Sequence, residues 1–174
     1  MRLQGKVAIV TGGGSGIGRS TSLLLAREGA KVAVTDVSDN DGMQTLEEIK
    51  RAEGTAEYWY LDVTRESAVK DTFAGIKAKF DKIDVLVNNA GIAGVDKPTH
   101  EITEEEWDRL MAVNVKGTFF CVKHVVPYMK KNGGGSIINL SSIYGLVGAG
   151  DVPPYHASKG AVRLIAKNDA LRYR

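Results

Sequence analysis

The sequence has little of what several classes of protein require. Cys121 is the single cysteine among 174 residues, which excludes an internal disulfide and a cysteine-rich metal site. Its three histidines do not cluster with other ligand residues, so no metal site is predicted. The net charge is only +2, which is too small to favour nucleic acid or an acidic membrane surface as a partner.

Long apolar runs are also missing. No stretch reaches the roughly 18 apolar residues of a transmembrane helix, and no signal-peptide cleavage region precedes the first apolar run. We therefore expect a protein of the reducing cytoplasm with no membrane partner. Hydrophobic residues make up 43% of the chain and charged residues 25%, as in ordinary globular domains.

The chain does contain a regular alternation of short apolar runs and helical patterns. Five runs predict strands, at residues 7–10, 31–36, 56–61, 83–87 and 136–140. Because helical patterns separate these runs, we expect an α/β fold with a doubly wound parallel sheet of the Rossmann type. Residues 1–174 are expected to form a single dinucleotide-binding domain.

A glycine-rich turn joins the first predicted strand to the first predicted helix. It contains Gly12, Gly16 and Gly18, with Ser15 and Ile17 between them. Glycine allows a positive φ and lets a pyrophosphate approach the backbone, and the helix start offers free N–H groups to the anion. The spacing is a variant of the usual dinucleotide fingerprint, and an ordinary strand-to-helix turn remains the alternative.

Two helical patterns predict details that a structure can check. In the first helix, Ile17, Leu24 and Leu25 fall near one face, which is expected to pack on the sheet. Residues 103–128 begin with a capping box and read as one long helix. Pro127 is expected to kink or end that helix.

An acidic residue ends the second predicted strand. Asp36 lies 18 residues after Gly18, close to the separation at which a carboxylate holds the adenosine ribose of a dinucleotide. The same carboxylate repels a 2′-phosphate, and neither Ser15 nor Val37 supplies a cation for one, so NAD is predicted in preference to NADP. The alternative is that Asp36 merely begins a polar loop.

Polar and small residues follow the third and fourth predicted strands. Asp62 and Val63 follow the third, and Asn88, Ala90 and Gly91 end or follow the fourth. In parallel sheets, ligands bind at the carboxyl ends of the strands, and small residues let a ligand come close. We therefore expect both segments to border a ligand crevice.

A polar residue also interrupts the apolar pattern of the long predicted helix. Asn114 stands between Val113 and Val115. A buried amide needs hydrogen-bond partners. Asn114 is therefore either a structural hydrogen-bonding residue or part of a functional site.

A phenol and an ammonium are predicted to share one face of the last helix. Tyr155 and Lys159 are four residues apart, or about one helical turn. A nearby ammonium favours the phenolate, so the pair can act in general acid–base chemistry. Ser142, at the end of the fifth strand, can hydrogen-bond a substrate carbonyl or alcohol. His156 points about 100° away around the helix and is interpreted as structural.

Together these segments resemble the short-chain dehydrogenase/reductase family. The resemblance rests on residues 11–18, residues 88–91, Asn114, Ser142 and the Tyr155-His-Ala-Ser-Lys159 segment. It covers essentially the whole chain, with the motifs in the family's order. It implies an NAD(P)-dependent oxidoreductase that interconverts a secondary alcohol and a ketone by hydride transfer.

The resemblance also implies a role for each matching residue. Tyr155 would be the acid/base, Ser142 would orient the substrate oxygen, and Asn114 would support a water-linked proton path to Lys159. Lys159 would also bind the nicotinamide ribose. The remaining matches would contact the cofactor, with Asp62 and Val63 at the adenine and Asn88, Ala90 and Gly91 at the end of the fourth strand.

The chain departs from the family pattern at its end. Members of the family continue with two more strands and a substrate lid, whereas this sequence stops at Arg174, inside the last predicted helix. The C-terminal strands are therefore expected to be missing. The fifth strand is then left with an unpaired edge, and the complete form is expected to be a homodimer or homotetramer.

Three functions remain open from the sequence. The leading one is an NAD-dependent dehydrogenase or reductase of a small alcohol or ketone, with a cyclic or steroid-like alcohol suggested by family habit. A nucleotide-binding fragment without turnover is the second. The third is an epimerase or dehydratase on the same scaffold.

Overall fold

A computed structural model describes residues 1–173 of the chain, so Arg174, where the last helix was expected to run, lies outside the described residues. The described residues form five strands and six α-helices, with at least one helix after each strand. The strands are β1 (Val7–Thr11), β2 (Lys31–Asp36), β3 (Thr55–Tyr60), β4 (Val85–Asn88) and β5 (Ser136–Asn139). The helices are α1 (Gly16–Arg27), α2 (Asp39–Arg51), α3 (Glu66–Phe80), α4 (Glu104–Met111), α5 (Thr118–Lys131) and α6 (Pro153–Arg172).

The five strands form one parallel sheet in the order β3-β2-β1-β4-β5. This confirms the predicted α/β fold with a Rossmann-type sheet. The strand order reverses between β1 and β4, and this switch point opens a crevice at the carboxyl ends of the two strands. The crevice is where the glycine turn and the end of β4 meet.

Successive side chains of β1 point to opposite faces of the sheet, and each face packs against its own apolar layer. Ile9 packs in a cluster with Phe73 of α3 and Val125 of α5, and Val10 packs in a second cluster with Ile49 of α2. Each of these side chains is at most 1% exposed. The central strand is therefore covered on both faces, as a parallel sheet requires.

The apolar face predicted for α1 is buried only in part. Leu25 packs against the second cluster, but Ile17 and Leu24 are exposed, and the buried residues are Gly18, Ser22 and Ala26. The cause is the closeness of α1 to β1, because a Cβ built on Gly18 would lie 2.0 Å from the carbonyl oxygen of Gly12. Only small residues fit such a contact, so apolar size did not identify the packed face.

The single long helix predicted for residues 103–128 is divided in the structure. A π-helical segment, Ala112–Gly117, separates α4 from α5. Pro127 does not end the helix, one of the two outcomes expected for it, since α5 continues to Lys131. Pro127 and Lys123, one turn earlier, are both exposed, so water can satisfy the carbonyl group that loses its helical partner.

Candidate active site

The glycine turn has the shape of an anion site. Gly12 and Gly16 have φ values of +62° and +51°, which favour glycine. A Cβ on Gly12 would lie 3.0 Å from the Cα of Ala90. Helix α1 begins at Gly16 and has no acidic residue in its first turn, so its positive end can attract an anion.

The carboxylate of Asp36 ties the end of β2 to this turn. Its Oδ2 atom accepts from the N–H of Gly14 at 2.9 Å, and its Oδ1 atom accepts from the N–H of Ser38 at 3.0 Å. A carboxylate has about four acceptor positions, so both oxygens can accept further bonds from ribose hydroxyls. Asp36 is half-buried and borders the crevice.

A network across the switch point fixes the two sides of the crevice together. The hydroxyl oxygen of Thr11 accepts from the N–H groups of Asn89 and Ala90, each at 3.1 Å. The Nδ2 atom of Asn89 donates to the carbonyl oxygens of Thr11 and Gly12, each at 2.9 Å. Thr11 and Asn89 were not predicted site residues, although both lie within the quoted motifs.

The side chain of Asn88 makes a contact outside the crevice. Its Nδ2 atom donates to Oδ1 of Asn139 on β5 at 2.8 Å. Its own Oδ1 atom is buried and has no hydrogen-bond partner among residues 1–173. The crevice is lined by Asn89, Ala90 and Gly91 rather than by Asn88, so the structure does not bring Asn88 together with the other predicted cofactor residues.

The crevice has a volume of about 470 Å³. Most of the predicted cofactor residues line it, namely Gly12, Ser15, Gly16, Ile17, Asp36, Asp62, Val63, Ala90 and Gly91. Gly18 is buried directly beneath the turn. Residues that the sequence did not single out complete the lining: Val37, Leu61, Asn89, Ile92, Arg109 and Val113.

Asp62 and Val63 occupy fixed positions on one wall of this crevice. The Oδ1 atom of Asp62 accepts from the N–H and the hydroxyl of Thr64, at 2.9 and 2.7 Å. Val63 is 6% exposed, and a Cβ on Gly117 would lie 2.7 Å from its side chain. The π-helical segment therefore packs directly against this wall.

Asn114 lies in the π-helical segment and is 1% exposed. Its Oδ1 atom accepts from the N–H of Ile92 at 2.8 Å, and its Nδ2 atom donates to the carbonyl oxygen of Ile92 at 2.9 Å and to Oγ of Ser158 at 3.1 Å. The side chain thus clamps the loop after β4 to helix α6. A π-helical turn inserted in an α-helix is often associated with a functional site.

Tyr155 and Lys159 lie on the same side of α6. The Nζ atom of Lys159 is 5.4 Å from the centroid of the Tyr155 ring and donates to the carbonyl oxygen of Leu140 at 2.8 Å. Lys159 is only 6% exposed, and burial lowers the pKa of its ammonium. Both residues border a second cavity of about 180 Å³, which shares Ile17, Asn89, Gly91 and Ile92 with the crevice.

The two serines at the end of β5 have different partners. Ser141 lines the second cavity and donates its hydroxyl to the carbonyl oxygen of Lys159 at 2.8 Å. Ser142 caps the 3₁₀ turn Ile143–Gly145, where its Oγ atom accepts from the N–H of Tyr144 at 3.2 Å. Ser142 is half-buried and is not among the described residues that line this cavity.

Among residues 1–173, neither a metal-binding group of side chains nor a membrane-spanning helix is found. No group of three or more His, Cys, Asp or Glu side chains there could hold a metal ion. No helix in this part of the chain combines the length and apolar character needed to cross a bilayer.

Known proteins share this arrangement. The chain matches the family model described as short chain dehydrogenase over residues 6–174. It is 46% identical over 170 residues to cyclopentanol dehydrogenase from Comamonas sp. (strain NCIMB 9872), covering 98% of this chain and 68% of that protein. It is 37% identical over 172 residues to 3beta-hydroxysteroid dehydrogenase from Mediterraneibacter gnavus, covering 99% of this chain and 62% of that protein.

Solved structures give the same result. The crystal structure of NAD+-bound xylitol dehydrogenase has a TM-score of 0.97 and 33% sequence identity, with 99% of this chain and 66% of that chain covered. This chain thus spans about two thirds of the length of the proteins it matches. A family match over nearly the whole chain, together with relatives at these levels of identity, shows that the protein belongs to the short-chain dehydrogenase family.

Proposed function

We propose that the protein is an NAD-dependent oxidoreductase that interconverts a secondary alcohol and a ketone, with Tyr155 as the acid/base. One observation carries the proposal: the Tyr155 phenol and the buried Lys159 ammonium border a cavity that shares four lining residues with the glycine-lined crevice. A proton-transferring group therefore lies beside a site suited to a dinucleotide. The family's relatives, which are dehydrogenases of alcohols by name, agree with this reaction class.

The crevice fits a nicotinamide dinucleotide. At Gly12 and Gly18 a Cβ would strike Ala90 or the Gly12 carbonyl oxygen, so these glycines let the turn pack closely on its neighbours, and the N–H groups at the start of α1 would bind the pyrophosphate. Asp36 would hold the adenosine ribose and favour NAD over NADP. Asp62, Val63, Ala90 and Gly91 would border the adenine and the nicotinamide side, and Asn88 would act only indirectly through β4. The bound cofactor supplies the hydride acceptor or donor.

The chain's own residues would carry out the proton transfer. As a phenolate, Tyr155 would take the alcohol proton during oxidation, and as a phenol it would return the proton during reduction. The ammonium of Lys159 lies 5.4 Å from the centroid of the Tyr155 ring and is held in place by the carbonyl oxygen of Leu140. Ser142 would orient the substrate oxygen, which requires its hydroxyl to turn toward the second cavity. Asn114 would keep the loop after β4 and α6 at a fixed separation.

The substrate class that best fits is a small cyclic secondary alcohol or the matching ketone. The second cavity has apolar walls that include Ile92, Ala93 and Leu140. Two of the relatives are named for cyclopentanol and for a hydroxysteroid, both of which carry an alcohol on a ring. Residues outside the 174 would add to substrate selection, because the relatives are about half as long again as this chain.

Further parts of the proposal concern the whole protein. Residues 1–174 would act as one dinucleotide-binding domain, incomplete at the C-terminus, of a cytoplasmic homodimer or homotetramer. A nucleotide-binding unit without turnover is the second candidate. It is favoured by the exposed edge of β5, where Ile138 remains 43% exposed.

The test is NADH formation with cyclopentanol and a panel of cyclic and linear secondary alcohols, together with NAD binding by calorimetry, both on a complete, catalytically competent form of the protein. Tyr155→Phe removes only the hydroxyl, so we expect kcat to fall at least about 100-fold while NAD affinity stays within about twofold. Tyr60→Phe, at an exposed tyrosine, is the matched control and should change neither. NAD binding without turnover would favour the second candidate, and a Tyr155→Phe enzyme with most of its activity would exclude Tyr155 as the base.

A further inference from the structure

The loop after β5 carries a cluster of side chains that the reaction described above does not use. We call Tyr144, Asp151 and His156 the loop cluster. The rings of Tyr144 and His156 are stacked, with centroids 4.2 Å apart and planes 9° apart. The hydroxyl of Tyr144 donates to Oδ2 of Asp151 at 3.0 Å. The cluster thus joins the 3₁₀ turn, the following loop and the first turn of α6.

The two ring nitrogens of His156 have main-chain partners of opposite kind. Nδ1 lies 3.2 Å from the carbonyl oxygen of Val152, which can only accept a hydrogen bond. Nε2 lies 3.0 Å from the backbone nitrogen of Ala149, which can only donate one. A neutral imidazole with its hydrogen on Nδ1 satisfies both partners. The partners therefore assign this tautomer.

The loop cluster touches both hydroxyl-bearing residues of the proposed reaction. The rings of Tyr144 and Tyr155 meet edge to face, with centroids 6.2 Å apart and planes at 81°. The N–H of Tyr144 donates to Oγ of Ser142. The Asp151 carboxylate raises the pKa of the Tyr144 phenol. Tyr144 therefore remains a protonated donor to Asp151 while its ring supports Tyr155.

We propose that His156, as the neutral Nδ1–H tautomer, is a positioning residue for Tyr155 and Ser142. It ties the loop at Ala149 to the start of α6 and so holds Tyr144 between the two. The inference rests on the proposed function, because it assigns His156 a part in that reaction. An imidazolium has no acceptor atom, so protonation of His156 breaks the contact with Ala149 and frees the loop.

Charged groups on several elements lie near the loop cluster. Asp151 accepts from the hydroxyl of Tyr144, and Asp96, in the loop after β4, acts on the same phenol. On the helix of His156, the ammonium of Lys159 donates to the carbonyl oxygen of Leu140. We expect the loop to be released when His156 is protonated, because the imidazolium offers no acceptor to the N–H of Ala149.

The first experiment does not depend on turnover. In the protein labelled with ¹⁵N, two-dimensional NMR of the imidazole nitrogens reports which atom of His156 carries the hydrogen, and amide exchange reports the protection of Ala149. We expect Nδ1–H at neutral pH, and an Ala149 amide that loses protection at the same pH at which His156 gains a proton. An Nε2–H ring, or an Ala149 amide that exchanges as fast as that of Gly148, overturns the proposal even if the enzyme is active.

The second experiment measures kcat and KM against pH. His156→Ala should lower kcat at least about tenfold, because small displacements of reacting groups slow catalysis strongly, with KM for NAD within twofold. His156→Gln keeps an acceptor for Ala149 and cannot titrate, so it should restore kcat to within threefold and remove the acid-side loss that belongs to His156. His100→Gln, at a side chain that is 82% exposed, is the matched control and should leave the pH profile unchanged.

The outcomes separate the two proposals. If the complete form of the wild-type protein is inactive but shows the expected His156 tautomer and Ala149 behaviour, the proposed function is contradicted, whereas the tie between loop and helix is supported. Equal kcat for His156→Ala and His156→Gln, or a His156→Gln enzyme with the wild-type acid limb, contradicts the positioning role. If His156→Ala does not fold, the wild-type NMR titration and the His156→Gln pH profile decide whether His156 has the positioning role.

Discussion

At the scale of single residues, Asp36 makes the clearest prediction. We expect NAD to bind at least tenfold more tightly than NADP, or about 1.4 kcal/mol, because the carboxylate repels a 2′-phosphate. Asp36→Ala should narrow this difference. It should also weaken NAD binding, since the N–H of Gly14 loses its acceptor.

Calorimetric titration with both cofactors measures this directly. Asp71→Ala, at an exposed aspartate on α3, removes an equal charge and should leave the preference unchanged. Equal affinities of the wild-type protein for NAD and NADP would contradict the assignment of Asp36.

Asp84 gives a second prediction, which concerns pH. The N–H of Val7 and the ammonium groups of Lys82 and Lys6 hold the pKa of Asp84 below its usual value, although burial acts in the opposite direction. A lowered pKa in the folded state stabilises the protein above the unfolded pKa of about 4. This contribution is lost as pH falls through the lower folded value.

Urea unfolding of an Asp84→Asn variant tests this argument. We expect a loss of about 1.5–3 kcal/mol at pH 7, in the range for hydrogen bonds to charged groups, and a smaller loss as pH falls below about 4. Asp81→Asn is the control, because the Asp81 side chain is 99% exposed and should contribute little at any pH. A loss that does not depend on pH would show that the Asp84 charge is not the cause.

The sequence identified residues that a fixed spacing within one element places, and it missed residues whose role depends on contacts with distant parts of the chain. Asp36 and the Tyr155–Lys159 pair were predicted because a fixed spacing along one strand or helix places them. Asn89 and Ser158 were missed, since they bond to residues far along the chain, at Thr11 and Asn114. Two adjacent asparagines at the end of β4 do not reveal which of them faces the crevice. The strand register decides that.

At the scale of elements, the contact between α1 and β1 makes a stability prediction. Gly18→Ala places a Cβ 2.0 Å from the Gly12 carbonyl oxygen, so we expect a loss of about 1–3 kcal/mol and weaker NAD binding. Gly160→Ala, in α6 with open space around its Cβ position, should be neutral or stabilise the fold by up to about 1 kcal/mol. Thermal unfolding measures both, and equal losses would contradict a steric cause.

The sequence predicted the positions of the strands better than the packing and internal geometry of the helices. All five strands lie within a residue or two of their expected positions, because buried parallel strands give clear apolar runs. Most of the buried face of α1 and the π-helical segment were missed. Small residues carry no apolar signal, and a one-residue expansion of a helical turn leaves the hydrophobic period almost unchanged.

At the scale of the whole molecule, β5 forms one edge of the sheet and pairs only with β4 in the described residues. Its Ile138 side chain is 43% exposed. A cavity of about 340 Å³ lies beside the strand, between α5 and α6. Unpaired edges with exposed apolar side chains invite pairing with other chains. We therefore expect a polypeptide of residues 1–174, expressed alone, to self-associate and to lack dehydrogenase activity.

Size-exclusion chromatography with light scattering tests this, together with an NADH assay on the same sample. Ile138→Lys should reduce self-association, because a charged side chain on an edge strand opposes pairing. Leu164→Lys, at an apolar residue on α6 that is 62% exposed, should not. A stable monomer with normal turnover would show that the edge of β5 needs no cover.

The hydrogen bonds that Thr11 and Asn89 form across the switch point have a thermodynamic consequence. They fix the two sides of the crevice together when the protein folds, so this region loses its conformational entropy before any cofactor binds. A ligand that binds to an already ordered crevice loses less free energy to ordering. Cofactor association should then resemble the docking of rigid bodies, with slow amide exchange at residues 11–13 and 89–90 already present in the free protein.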